Sequence, residues 1–313
     1  MFSCRDQSGR IMPCNLLGNK DPPIEMEESH IASGAARDAA IHFFIGDTQA
    51  HGWTWLGNPS QDKAATIAKL MDRVFAEEVA RFGGAANVVW AAGNNDGPHD
   101  SAFQKQDACT VAWAGCLLRA GIVMDFAPEG DLVYGGGRNV TAFFRDTGFY
   151  AKPLPLLGAG AYALVLNTNL GGSNAEQKAA MNTTLSWIHA RHGNTSAVYV
   201  LGHHPSAMGK GINGGYIPAQ FRGMVKGVFA GHVHNAKATD PQTLFTQVPA
   251  VSQQAAVTGF WLATVSPTQP EVRVNESSNL FVYSNSPAHV PPNASHWRPK
   301  TSWRVVDKAS SPV

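Results

Sequence analysis

From residue 41 onward the apolar positions alternate between short continuous runs and longer helical stripes. Residues 41–45, Ile-His-Phe-Phe-Ile, form a run of strand length that stops at Gly46-Asp47. Residues 62–82 then place Ile67, Leu70, Met71, Val74, Phe75 and Val79 on one helical stripe, which Gly83-Gly84 ends. The alternation repeats with a strand over 88–92, a helix over 102–118, a strand over 161–166, a helix over 175–191, and strands over 197–201 and 225–230. Strand-like stretches follow at 243–248, 259–265, 271–274 and 280–283 without helical spacing between them. The succession of strand and helix predicts an α/β fold. Residues 1–38 are polar, carry Asp21-Pro-Pro23 and the acidic stretch 25–28, and read as an irregular lead-in.

Four of the predicted strands end alike, in an apolar run, one glycine, and then a side chain able to bind a metal. They are Gly46-Asp47, Gly93-Asn94, Gly202-His203 and Gly231-His232-Val233-His234. In α/β sheets ligand sites lie beyond the carboxyl ends of the strands, so residues distant in sequence can converge there. A glycine lets the chain turn sharply and pass close to an ion. Alternation in extended chain puts His232 and His234 on one side. Carboxylate, amide oxygen and imidazole together suit zinc, iron or manganese, and two such ions can clamp a phosphoryl group while activating water.

Composition narrows the alternatives. The 313 residues are 44% hydrophobic and 15% charged, with a net charge of +1, an ordinary globular balance that gives no reason to expect nucleic acid or an anionic membrane as partner. No apolar run approaches the roughly 18–20 residues needed to span a bilayer. Residues 1–15 lack the apolar core of a secretory signal. Sequons at Asn139, Asn182, Asn194, Asn275 and Asn293 nevertheless point to export. Cys4, Cys14, Cys109 and Cys116 form two close pairs without the spacing of a zinc knuckle, leaving disulfides and buried thiols both open. There is no Gly-x-Ser-x-Gly elbow and no His-Glu-x-x-His helix. Gly158-Ala-Gly160 precedes a strand and reads as a turn, and Gly135-Gly-Gly137 lacks the Lys-Ser/Thr of a phosphate loop. Trp53, Trp55, Trp90 and Trp187 read as core or pocket wall, since no basic stripe accompanies them.

The order Gly-Asp, Gly-Asn, Gly-His, Gly-His-x-His resembles the calcineurin-like metallophosphoesterase superfamily. Residues 46–53, Leu166-Asn-Thr-Asn169, Gly202-His-His-Pro205 and Phe229-Ala-Gly-His-Val-His234 resemble its acid sphingomyelinase-like phosphodiesterase branch, and Gly93-Asn-Asn-Asp96 is similar to the form in endopolyphosphatases of that branch. The resemblance implies a four-layer α/β/β/α sandwich over 39–285, preceded by the lead-in 1–38 as the remnant of a cysteine-bearing insertion and followed by a C-terminal extension, 286–313. It implies that Asp47 bridges two divalent ions, zinc above all, that Asn94, His203 and His232 complete one shell, and that His234 belongs to the other. His51 would sit near the phosphate, and metal-activated water would hydrolyse a small phosphoester, above all a phosphodiester, or a phospholipid headgroup. The expected protein is a secreted or lysosome- or vacuole-type glycoprotein, a monomer without a membrane span, whose signal sequence is missing from this chain.

Two departures temper that expectation. The family's opening Asp-x-His is absent, so the chain is expected to lack its first strand; it would hold as few as one of the two ions and be an inactive or weak phosphoesterase, a one-metal binding protein in the limit, unless His30 or His42 completes the set. Asn95 stands where most of the family has a histidine. Its amide can hydrogen-bond a phosphate oxygen but cannot donate a proton as an acid, which leaves that role to His51 or His99.

Overall fold

In the computed structural model the described residues are 4–5, 11–12, 41–47, 60–96, 108–125, 132–170, 174–206, 208, 217–233, 237–240, 245–247, 259–265, 272–279 and 297–305. They form a mixed α/β structure. Strands β1 (Cys4–Arg5) and β2 (Ile11–Met12) make an antiparallel pair within the predicted lead-in. Strand β3 (His42–Phe44) pairs in parallel with β4 (Val88–Trp90). Strands β5 (Tyr150–Pro153), β6 (Ala161–Val165), β7 (Ala197–Leu201), β8 (Val225–Ala230), β9 (Lys237–Asp240) and β10 (Phe245–Gln247) build a six-stranded sheet in the order β5-β6-β7-β8-β10-β9. Its middle, from β6 through β10, is parallel, and its edges β5 and β9 are antiparallel. Strands β11 (Gly259–Val265), β12 (Val272–Asn279) and β13 (Trp297–Val305) form an antiparallel sheet. The helices are α1 (Ser60–Arg81), α2 (Ala108–Arg119), α3 (Val140–Thr147) and α4 (Ala175–His192).

The apolar runs become strands because both of their faces are covered. Every residue of β6 and β7 is buried, which is why these strands read as continuous apolar runs. Adjacent phenylalanines show the two coverings. Phe43 reaches the six-stranded sheet, with ring centroids 6.0 Å from Tyr199 and 5.7 Å from Phe229, while Phe44 stacks on Trp90 at 4.0 Å on the other face. Phe75 of α1 meets the same Trp90 edge-on, so α1 packs against the β3–β4 pair. On the far side of the six-stranded sheet, Tyr162 of β6 meets Trp187 of α4. Trp90 is fully buried and Trp187 packs against the core, as expected; Trp53 and Trp55 lie outside the described residues.

Local signals set the helix ends. Gly83 takes a left-handed φ of 74°, and Gly84 N donates to Val79 O while Gly83 N reaches Ala80 O, the paired bonds of a Schellman stop. Helix α4 starts at Asn174, whose side chain accepts from Gln177 N. Helix α2 begins at Ala108, later than its apolar pattern suggests. Helix α3 has no sequence expectation, because its eight residues are too short for a periodic window; Asn139 and the left-handed Gly148 cap it. Strand β12 runs past residue 274 into the polar Asn275–Asn279, and residues 280–283 lie outside the described ones. Gly135 to Gly137 form a turn closed by pairing of Tyr134 with Arg138.

Geometry decides one cysteine question. Cys109 and Cys116 are seven residues apart on the single helix α2, about 10.5 Å along its axis at 1.5 Å per residue, too far for a disulfide. Cys116 is a buried free thiol whose Sγ donates to Ala68 O, and burial pushes its pKa up to about 12. No described helix is long and apolar enough to cross a membrane.

The sequence pattern also misses β5, because Lys152 interrupts its apolar run. That lysine is 2% exposed, and its Nζ donates to the carbonyls of Ala85, Val88 and Ile122, tying β5 to the entry of β4 and the exit of α2. Burial lowers its pKa to about 7, while three carbonyl acceptors favour the three-donor ammonium. Lys152→Met, which orphans those carbonyls, is expected to cost on the order of 3 kcal/mol in denaturant unfolding. Because the folded pKa lies below the unfolded one, the unfolded chain binds more protons between them, so Lys152 makes stability rise with pH from about 7 to 10.5. Lys152→Met should lack that rise relative to the parent, and identical pH profiles would contradict this assignment.

Candidate metal centre

Beyond β3 the chain turns through two left-handed residues, Gly46 at φ 94° and Asp47 at φ 59°. The turn is possible because Gly46 and Gly93 pack against each other. A Cβ on Gly46 would lie 2.6 Å from Gly93 N, and one on Gly93 would overlap the backbone nitrogen and carboxylate of Asp47 and sit 2.7 Å from its Cα. Two glycines therefore let Asp47 and Asn94 leave neighbouring strands almost in contact. Asn94 opens a short 3-10 turn, Asn94–Asp96, and fully buried Asp96 holds that turn by accepting from Gly93 N at 2.7 Å.

The other half of the centre comes from β7 and β8. Gly202 fits under Thr168 and Met208, where a Cβ would fall 2.7 Å from Thr168 Cγ2. His203 follows it and is buried to 1% exposure. Gly231 N donates to His203 O, and His232 takes a left-handed φ of 67°. For a non-glycine residue such a φ costs on the order of 1 kcal/mol, so Asp47 and His232 are both held in place by surrounding structure.

Four side chains from four strand ends meet at this point. One ligand atom each from Asp47, His203 and His232 lies within 4.8 Å of the others. His203 Nε2 is 3.0 Å from Asp47 Oδ2, 2.9 Å from Asn94 Oδ1 and 3.2 Å from His232 Nδ1, and Asn94 Oδ1 is also 2.8 Å from His232 Nδ1. The Ile45 carbonyl, 2.8 Å from His203 Nδ1, can only accept, so Nδ1 carries a proton and Nε2 faces the cluster. There Nε2 meets two oxygens and an imidazole nitrogen. These four atoms are the mixed nitrogen and oxygen donors that a divalent cation takes. Burial lowers the His203 pKa, but Asp47 through hydrogen bond and charge, the Ile45 carbonyl and Asp96 together outweigh it, and the net shift is upward. The surroundings thus favour positive charge. Exposure rises from buried His203 and Asn94 through Asp47 to exposed His232, which gives the cluster an open side.

Asp47, Asn94, His203 and His232 are thus brought together. His51, His99, His234 and the side chain of Asn95 lie outside the described residues, as does His30. His42 does not join the cluster: it sits at the opposite end of β3 from Asp47, with Nδ1 2.6 Å from Glu78 Oε2 of α1. Sequence reasoning gave no role to Asn167, Thr168, Asn169 or His204, which surround the centre. Thr168 Oγ1 accepts from the backbone nitrogens of His203 and His204, and His204 Nε2 is 3.0 Å from Asn169 Oδ1. Burial, and then the neighbouring His203 and His232, push the His204 pKa down to about 4. The signal was present in the paired histidines after β7 and the run of amides after β6.

Residues 30–236, about two thirds of the chain, match the family model for calcineurin-like phosphoesterase. The chain belongs to the calcineurin-like phosphoesterase family. No curated protein and no solved structure matches it. The matched stretch of this calcineurin-like phosphoesterase includes every candidate residue from Asp47 to His234. Its family binds divalent metals, and the Asp47–His203–His232 triad is a possible metal-binding group.

The strand-end glycines are not equivalent. Gly93→Ala forces a methyl into Asp47 and should cost on the order of 3 kcal/mol or more. At Gly231 a Cβ would meet Ile45 O at 3.4 Å, an ordinary contact, so Gly231→Ala should cost less than about 1 kcal/mol. Denaturant midpoints separate the two, and equal losses would contradict the packing of Gly46 against Gly93.

Proposed function

We propose that this protein is a metal-dependent phosphodiesterase of the acid sphingomyelinase-like type, hydrolysing a small phosphodiester or phospholipid headgroup. The observation that carries this reading is the convergence of Asp47, Asn94, His203 and His232 from four strand ends on one point. The residues fit a divalent cation. Two imidazole nitrogens, an amide oxygen and a carboxylate suit zinc. Contacts of Phe44 with Trp90, Phe43 with Tyr199, and Tyr162 with Trp187 support a four-layer α/β/β/α sandwich.

When bound, divalent ions supply Lewis acidity, neutralising charge on the phosphoryl group and activating water. The chain's own residues set the geometry. Ile45 O turns His203 so that Nε2 faces the centre, and the left-handed Asp47 directs its carboxylate there beside Asn94. His234 and a share of Asp47 would serve a second ion. His51 or His99 would hold the proton needed by the leaving group, and Asn95 would donate its amide to a phosphate oxygen. The recurrent sequons support a secreted or lysosome- or vacuole-type glycoprotein.

The test is zinc content by mass spectrometry together with turnover of bis(4-nitrophenyl) phosphate by the 313-residue chain. The parent should bind zinc and turn over the diester, and His203→Ala should lower both, turnover by about a hundredfold or more. Failure of the parent to take up any divalent metal would overturn the reading. Tight binding of one metal without turnover would make the chain a metal-binding member of its family.

A further inference from the structure

The end of β6 contributes no donor to the cluster, yet four hydrogen bonds join it to the strand ends that carry Asn94 and His203. Asn169 Nδ2 donates to Gly93 O at 2.9 Å, across from the six-stranded sheet to the end of β4. The carbonyl can only accept, which fixes the orientation of the amide. Asn169 Oδ1 is then an acceptor, and its partner at 3.0 Å, His204 Nε2, must carry a proton. One amide therefore grips the strand end that bears Asn94 and the strand end that bears His203. Thr168 adds a second grip, since its Oγ1 accepts from both His203 N and His204 N.

This bracket is itself anchored. Asn167 N donates to Gln177 Oε1 at 2.8 Å, and Gln177 Nε2 donates to Asn167 O at 2.9 Å, so buried Gln177 of α4 pairs with the backbone as a neighbouring strand would. Asn167 Nδ2 donates to Thr147 O, and Asn167 Oδ1 accepts from Asn169 N. Gly93 is consequently held on both sides, its N–H by Asp96 and its carbonyl by Asn169. With both of its peptide groups fixed, the position of Asn94, the next residue, is fixed too. A side chain that served only to fill space at the end of β6 would need none of these directed bonds.

We propose that Asn169, with Thr168 and His204, forms a positioning unit that sets the separation between Asn94 and His203 and thereby the metal affinity of the centre. This rests on the metal-centre reading above. No member of the unit ligates the ion; its effect passes through the Gly93 carbonyl and the backbone of His203. In Asn169→Ala the Gly93 carbonyl and the His204 N–H both lose their partner. His204→Phe keeps a ring but removes the donor to Asn169, whereas His204→Gln restores an N–H where Nε2 stood.

The experiment is calorimetric titration of the metal-free full chain with zinc, with cobalt absorption as a direct signature of coordination geometry. Asn169→Ala should weaken zinc binding about 10- to 100-fold and shift the cobalt bands, the range found when groups supporting a metal's ligands are removed. His204→Phe should weaken binding in the same direction, and His204→Gln should regain most of the affinity. Leu170→Ala, at the neighbouring exposed position, should bind as the parent does. If Asn169→Ala does not fold, Asn169→Asp serves in its place: it keeps the acceptor for His204 but sets a carboxylate against Gly93 O, so affinity should fall at least as far. Parent-like affinity and spectra in the Asn169 variant that folds would overturn the proposal while leaving the metal centre intact. An absence of metal binding by the parent would overturn the metal-centre reading and this proposal with it.

Discussion

The contact between Gly46 and Gly93 is the constraint on which the rest of the centre depends. Two parallel strands normally run several ångströms apart and their side chains diverge at the ends. Here the absence of both Cβ atoms lets the chain after β3 fold over the chain after β4, with Asp47 touching Gly93. That approach places a carboxylate and an amide from one sheet where His203 and His232 arrive from the other. A side chain on either glycine would push the two strand ends apart and draw the Asp47 carboxylate away from Asn94.

Bringing the donors together creates an electrostatic demand that protons or a bound cation can meet. His203 is buried, its Nδ1 proton is engaged by Ile45 O, and its other nitrogen looks onto two oxygens and a second imidazole. Burying acceptors against acceptors is costly unless a proton or a metal lies between them. The strain in Asp47 and His232 has the same sign: both occupy left-handed backbone that their residue types disfavour, and both point into the cluster. Rigid supports offset these costs, including the Asp96 cap, the Gln177–Asn167 pairing and the α-helical and aromatic packing around β3 and β4.

How much of this was legible in the sequence depends on whether the signal is local. The strand ends were readable because a glycine and the donor after it are adjacent, and β7, β8 and α4 were readable because their burial imposes an unbroken run or a helical stripe. Strand β5 was not, since Lys152 mimics a surface residue and its three carbonyl partners lie at least thirty residues away. Nor were β9 and β13, whose polar residues take strand form through pairing with β10 and β12 rather than through their own alternation. The role of Asn169 was hidden for the same reason: Gly93 is 76 residues distant, so the run from Asn167 to Asn169 carried a family resemblance but no visible partner. His42 looked like a spare ligand until its place at the other end of β3, against Glu78, removed it from the centre.

X-ray absorption at the zinc edge of the zinc-loaded chain tests the central claim most directly, because it reports the identity of the donor atoms and their distances. A centre made by Asp47, Asn94, His203 and His232 should give imidazole scattering from two rings, with nitrogens at about 2.0–2.1 Å and oxygens at about 2.0–2.2 Å. A shell dominated by sulfur at about 2.3 Å, as the cysteines would supply, or one without imidazole scattering, would place the ion elsewhere and contradict the account.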